Sequence, residues 1–439
     1  MHEVLSQDIF SKRRAALLDK LPDHAVVVLY SAHAAHRNGD VHYPLRQDSY
    51  FWYYTGFPEG ESIAVLRKKN GKPHYTLFNA PRNPEKEIWE GKIIGQDGAI
   101  ANYGADEALP IAEQGKLAEM LADAGSIYTI LGVNAHNDGR ITKLLRDVHQ
   151  RTGRGGAPID GIQDLRRVAD EMRMHKSSEE IELMHRAGKI SADGHRAAMI
   201  ATYPGMYEYE VQAVLEAEFR RHNCHWAYGS IVASAENACC LHYHANNAKL
   251  RDGDLMMIDA GAEYGGYAGD ISRTYPINGK FSRDQQALYE VVLAAETAGI
   301  EHARAGIRHL ELHEQTKRIL MQGMIDEGII KGSLDYWLEE DRFKQFYMHG
   351  TGHWIGLDVH DVGVYMPDGQ SRIYEPGVAI TVEPGLYIQA DDTSVDERWR
   401  GIGIRIEDDV IITDGQAEVT TADIPKTVSE IEAIMRDRR

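Results

Sequence analysis

The sequence predicts an α+β protein in two parts, a smaller α/β part followed by a larger part in which helices and strand-rich stretches are set apart. Three observations carry this. Short β-prone runs alternate with helical stretches up to about residue 150. A glycine-rich segment, RTGRGGAPIDG (151–161), then breaks the alternation. Beyond it, amphipathic helices flank two strand-and-turn stretches at 228–277 and 346–413. We therefore expect a domain at 1–173 and a second at 174–439.

In chain order, MHEVLSQDIFSKRRAALLDKL (1–21) is polar and amphipathic, with no apolar core of a leader peptide. HAVVVLYSA, SIAVLRKK, HYTLFNA and SIYTILGVN read as strands, and ADEALPIAEQGKLAEMLADA (105–124) and RITKLLRDVHQRT (140–152) as helices. Two helices follow, IQDLRRVADEMRMH and SSEEIELMHRAGKISADGHRAAMI; Ser177 and Glu180 form a capping box at the start of the second. A Tyr203-Pro204-Gly205 turn leads to YEYEVQAVLEAEFRRHN, and a helical pair covers roughly 283–330.

Composition narrows the function. Of 439 residues, 43% are apolar and 26% charged, a globular balance. Lysine and arginine total 48 against 67 acids, a formal charge of −19, which excludes a broad phosphate-binding surface and makes nucleic acid an unexpected partner. No run of about 18 apolar residues occurs, so no membrane association is expected and a cytoplasmic location is. The three cysteines, Cys224, Cys239 and Cys240, have no zinc-ribbon spacing and read as reduced, mostly buried thiols.

Within the strand-rich stretches lies an internal echo. LRDGDLMMIDAG (250–261) aligns without a gap on YEPGVAITVEPG (374–385), matching Gly253 to Gly377, Asp259 to Glu383 and Gly261 to Gly385. Each copy follows a histidine segment, LHYH with His242 or DVHD with His360, and precedes a second acid-bearing run, with Asp270 or Glu407. Two related half-sheets bringing their acids together is the natural inference.

Asp270 and Glu407 read as acids within apolar strands, where an unpartnered carboxylate costs several kcal/mol or takes up a proton. Any one acid alone is as well explained by Arg273, Arg400 or Arg405. Four carboxylates with an imidazole suit divalent metal, and their mutual repulsion suits two ions better than one. MHGTGHWIGLDVHD (348–361) supplies three histidines, His349, His353 and His360.

HGTGHWIGLDVHD resembles the signature of the prolidase and aminopeptidase P family, metallopeptidases of the pita-bread fold. DAGAEYGGYAGDISRTY, TVEPGLY and GIGIRIEDDV match its other blocks in order, over about 175–439. The resemblance implies a pita-bread catalytic domain with Asp259, Asp270, His353, Glu383 and Glu407 holding two metals, bridged by Asp270 and Glu407. His242, His349, His360, Tyr387 and Arg405 match positions around the substrate. His360 is then expected to stabilise the oxyanion, Glu383 to shuttle a proton, and His242 to assist catalysis. His349, Tyr387 and Arg405 are expected to bind the proline end.

RQDSYFWYYTGF (46–57) and EIWEGKIIGQDG (87–98) resemble the creatinase-type N-terminal domain of the bacterial branch. By that resemblance Trp89 reaches a neighbouring subunit's site in a dimer or tetramer of identical chains; as a bare sequence feature it reads as a packing residue. The implied reaction is hydrolysis of an Xaa-Pro bond by a metal-bridging hydroxide, releasing the first residue of peptides with proline second. Mn²⁺ is the expected metal, with Zn²⁺ or Co²⁺ as alternatives. Prolidase, confined to Xaa-Pro dipeptides, is the nearest rival; a metal-free creatinase-like hydrolase and a non-catalytic scaffold are more distant ones.

Overall fold

The computed structural model describes residues 5–153 and 159–436 and divides into two compact units, Met1–Met172 and Arg173–Arg439. Residues 154–158 of the glycine-rich segment and residues 1–4 lie outside the described residues.

The first unit is built on a six-stranded sheet. Its strands are β1 (Ala25–Tyr30), β2 (Ile63–Lys69), β3 (Lys72–Asn79), β4 (Glu107–Pro110), β5 (Ser126–Thr129) and β6 (Ile162–Asp164), in the spatial order β4-β3-β2-β1-β5-β6. β1 is buried along its whole length, which explains its unbroken AVVVLY run. It pairs antiparallel with β2 and parallel with β5. Helix α1 (Gln7–Lys20) aims two buried arginines at the end of α2 (Ser49–Thr55). Arg13 donates to the Tyr53 carbonyl at 3.2 Å and Arg14 to that of Tyr54 at 2.9 Å, satisfying carbonyls the helix end leaves open.

The expected helix at 105–124 is not formed. Residues 107–110 instead pair in parallel with β3, and Ile111–Lys116 form a 3₁₀ turn before the single α-turn Leu117–Met120. Pro110 accounts for the break, since it has no N–H and disfavours an α conformation in the residue before it. Farther on, α3 (Ala135–Thr152) forms as expected, whereas the helix expected at 162–175 begins only at Arg166, as α4 (Arg166–Met174), because Ile162–Asp164 join the sheet beside β5.

The second unit opens with α5 (Ser178–Ala201), whose Ser177–Glu180 capping box is present in both directions. α6 (Glu208–Arg221), α7 (Arg283–His302) and α8 (His309–Asp326) follow. Between and after them lie β7 (Ile231–Ser234), β8 (Leu255–Asp259), β9 (Ser272–Pro276), β10 (Ala379–Val382), β11 (Gly385–Ile388), β12 (Ile402–Arg405) and β13 (Asp408–Ile411). β8 pairs antiparallel with β7 and β9, β10 with β13, and β11 with β12. A bridge between Ser272 and Glu407 joins the β8–β9 half to the β10–β13 half.

The echo is thus two antiparallel pairs, each with an acid at the end of its first strand. Gly253 and Gly377, at matching positions before β8 and β10, both adopt positive φ, +87° and +85°. Such a turn favours glycine. Helices α5 to α7 cover the strands, and Leu288, Tyr289, Val292, Ile258, Tyr275 and Ile404 are fully buried between them. Cys224 and Cys239 are buried and Cys240 is exposed, all three as free thiols. No helix among the described residues is long and apolar enough to cross a membrane.

Candidate metal centre and substrate cleft

Asp259, Asp270, His353, Glu383 and Glu407 converge on one cleft of about 470 Å³, which His242, His349, His360 and Arg405 also line. The expectation that Asp270 and Glu407 lie within strands is corrected. Asp270 sits in the turn before β9, and Glu407 between β12 and β13.

Each acid is fixed by its surroundings. The Asp270 backbone N–H donates to Asp409 Oδ2 at 2.8 Å. Ser272 Oγ donates to Glu407 Oε2 at 2.6 Å and accepts from Arg405 Nε at 2.8 Å. Arg405 Nη2 reaches Asp259 Oδ2 at 2.6 Å, and the Glu383 backbone N–H donates to the Thr351 carbonyl at 2.8 Å. Arg273, fully buried, ties Ser272 to Glu407 through their carbonyls, at 3.0 and 2.6 Å.

His353 is oriented by its own backbone. Its Nδ1–H donates to the Trp354 carbonyl at 3.0 Å, leaving Nε2 turned toward Asp270 Oδ2 at 3.5 Å and Glu383 Oε1 at 3.6 Å. Such a backbone bond is how a ligating imidazole is held in one tautomer. The loop can come this close because Gly352 lies against β10; a Cβ there would stand 1.9 Å from the Thr381 carbonyl oxygen.

The charge balance of the cluster asks for cations. Burial, together with the neighbouring carboxylates, raises Asp270 above its usual range and Glu407 well above it. Burial likewise pushes Glu383 up to about 7 despite His353 and Arg405. Burial opposes charge on His353 too, yet Asp270 and Glu383 outweigh it and raise the imidazole to about 9. Ligand atoms of Asp270, His353 and Glu407 lie within 4.8 Å of one another.

A further sign of crowding is Tyr228, which no motif in the sequence singles out. Its hydroxyl lies 2.6 Å from Asp259 Oδ1 and also within hydrogen-bond reach of Asp270 Oδ1, so one phenolic proton serves two carboxylates. Oxygen-rich donors, one correctly turned imidazole and uncompensated negative charge fit divalent metal.

The substrate candidates form a connected wall. Arg405 Nη1 donates to Tyr387 Oη at 2.9 Å, and Tyr387 Oη lies 2.8 Å from His349 Nε2. His349 Nδ1 donates to the Gly350 carbonyl at 2.7 Å. Burial and then Arg405 hold His349 down to about 3, so it is neutral and its Nε2 accepts from Tyr387. His360 faces His353 edge-on, ring centroids 4.4 Å apart, and His242 lies beside His244 at the exposed rim. Burial, then His353 and His242, lower the His360 imidazole below its ordinary value.

Trp89 is not in this set. It lies in the first unit on the short helix Pro84–Glu90, 87% exposed, so it is no packing residue.

The comparisons agree with this geometry. Residues 182–414 match the model of metallopeptidase family M24, and residues 10–128 match that of the aminopeptidase P N-terminal domain. The chain belongs to metallopeptidase family M24, with the expected α/β N-terminal domain and pita-bread C-terminal domain. The Xaa-Pro aminopeptidase of Escherichia coli strain K12 is 43% identical over 438 residues, 99% of both chains. The structure of Pseudomonas aeruginosa aminopeptidase PepP matches at a TM-score of 0.96 and 43% identity, over 98% of each chain. That of E. coli aminopeptidase P with the inhibitor Pro-Leu matches at 0.95 and 42%, over 99% of each.

Proposed function

We propose that this chain is a dinuclear metallo-aminopeptidase that removes the first residue from peptides with proline in second position. The carrying observation is the complete acid and imidazole set gathered in one cleft, beside a neutral His349 that Tyr387 links to the Arg405 guanidinium. Similarity over the whole chain to Xaa-Pro aminopeptidases, N-terminal domain included, favours this over prolidase. We take 1–173 as the creatinase-type domain and 174–439 as the catalytic one.

Asp259, Asp270, His353, Glu383 and Glu407 would hold two divalent ions. Bound ions would acidify a water and polarise the scissile carbonyl. Mn²⁺ suits the oxygen-rich donors, while Zn²⁺ and Co²⁺ would also occupy them.

Proline lacks an N–H and fixes φ, so its residue is held through shape and its carbonyl end rather than as an extended strand. Arg405 lines the cleft beside that end, while Tyr387, fully buried behind it, gives its hydroxyl to His349, whose neutral ring adds an apolar face without a second charge. Glu383, a carboxylate facing the same cleft, would accept a proton from the attacking water and return it to the leaving prolyl nitrogen. His360 donates toward the oxygen on which charge develops, and His242 flanks the same rim. Trp89, exposed in the first unit, is available to a neighbouring subunit in an oligomer of identical chains. We place the enzyme in the cytoplasm.

Assaying an Xaa-Pro dipeptide beside a longer Xaa-Pro-Xaa peptide, with each metal restored after chelation, tests this. Release of the first residue from the longer peptide is expected; cleavage of the dipeptide alone means prolidase.

A further inference from the structure

His360 is assigned a role that demands an accurate position, yet its ring makes no hydrogen bond among the described residues. Its orientation is inherited from the backbone of the loop 354–361. That loop closes on the Trp354 carbonyl, which accepts the Asp361 backbone N–H at 2.8 Å and the His353 Nδ1–H at 3.0 Å. One oxygen therefore links the residue after His360 to the orientation of His353.

Asp361 is held from its other side. Arg173 Nη2 donates to Asp361 Oδ1 at 2.6 Å and to Asp358 Oδ2 at 2.7 Å, and Lys176 Nζ donates to Asp361 Oδ2 at 3.0 Å. The Arg173, Lys176 and Asp361 side chains are each 1% exposed; that of Asp358 is 37% exposed. Lys176 is itself anchored, since its backbone N–H donates to the Gly377 carbonyl at 2.8 Å, just before β10. Packing leaves no slack, because a Cβ on Gly356 would stand 2.2 Å from Asp361 Oδ2 and 2.8 Å from Lys176 Cε.

We propose that Arg173, Lys176 and Asp361 form a buried ionic clamp whose task is to position the His360 imidazole against His353. These are positioning residues; none of them lines the cleft. A loop held only by its stem would leave the ring of His360 free to swing, whereas two cations on the two oxygens of Asp361 fix the backbone one residue away. The inference rests on the reading of His360 given above.

The test uses Asp361→Asn, with Asp358→Asn as a milder variant that disturbs only the outer arm. Each is made in the wild-type and His360→Ala backgrounds and assayed with an Xaa-Pro-Xaa peptide at saturating Mn²⁺. The clamp predicts that Asp361→Asn lowers kcat about tenfold with KM changed less than threefold, Asp358→Asn does so more weakly, and neither lowers kcat further in His360→Ala. A loss of the same factor in both backgrounds overturns the proposal, as that is general damage to the fold.

A crystal structure of the metal-free Asp361→Asn protein, or of Lys176→Met where Asp361→Asn does not fold, gives a readout independent of activity. The His360 ring should leave its 4.4 Å contact with His353 while Asp259 and Glu383 stay in place; an unmoved ring overturns the clamp. Failure of the wild type to cleave the peptide would sink the proposed function, and the crystallographic arm would still judge the clamp.

Discussion

The hydroxyl of Tyr387 lies 2.8 Å from Nε2 of His349 and links that neutral imidazole to the guanidinium of Arg405. The relay has one direction: Arg405 donates to the phenol, the phenol to His349, and His349 to the Gly350 carbonyl. Tyr387→Phe removes the middle link and leaves a buried acceptor on His349 unserved. A buried group left unsatisfied costs about 1–3 kcal/mol. We expect the melting temperature to fall by a few degrees and kcat/KM for an Xaa-Pro-Xaa peptide to fall by roughly 5- to 100-fold as His349 loses its orientation; an unaffected kcat/KM would remove Tyr387 from the support of the substrate wall.

Metal removal should make stability depend on pH. In the folded apoprotein Glu383 keeps its proton up to about 7, against 4.5 when unfolded. The folded state then binds more protons than the unfolded one, so stability falls as pH rises from 4.5 through 7. A bound cation favours the carboxylate and cancels the decline. Melting temperatures of chelated and metal-loaded protein should therefore diverge between pH 5 and pH 8, and parallel curves would count against the acid cluster as the binding site.

Acid stability has a different source. His195, fully buried on α5, donates Nε2–H to the Ala260 carbonyl at 2.9 Å. Burial holds it down to about 4 from its ordinary 6.5. Its contribution, about 3 kcal/mol, is complete above pH 6.5 and lost as pH falls toward 4. His195→Gln keeps an N–H donor but cannot titrate, so its stability should fall less steeply over that window in denaturant unfolding series.

Gly352 offers a steric test. Any Cβ there would force the His353 loop away from Thr381, whose backbone N–H donates to the His353 carbonyl at 2.9 Å. Gly352→Ala is expected to lower both bound metal and activity by at least about tenfold, since loss of one imidazole ligand or its support costs metal affinity on that scale. Full metal content would show that the loop yields without cost.

Much of this architecture was legible because it is local. The echo between 250–261 and 374–385 is a turn, a strand and an acid repeated, and the positive φ of Gly253 and Gly377 shows why both copies carry glycine there. The Ser177–Glu180 cap lies within four residues. What could not be read depends on distance along the chain. Tyr228 meets Asp259 and Asp270 across 31 and 42 residues, Ser272 meets Glu407 across 135, and Arg173 meets Asp361 across 188. At 105–124 the helical pattern is cut by Pro110, and Glu107–Pro110 pair with β3 instead, a long-range contact that local propensity does not report.

The phenol wedged between Asp259 and Asp270 has a spectroscopic consequence. A tyrosine chromophore responds to the charge beside it, and cations entering the cluster would change the charge felt by Tyr228 more than that felt by any surface tyrosine. Near-ultraviolet absorbance should therefore track loading of the site as it happens. Titration of the chelated protein ought to give a difference signal that saturates with the first equivalents of ion and shrinks in Tyr228→Phe. The protein carries its own optical gauge of occupancy.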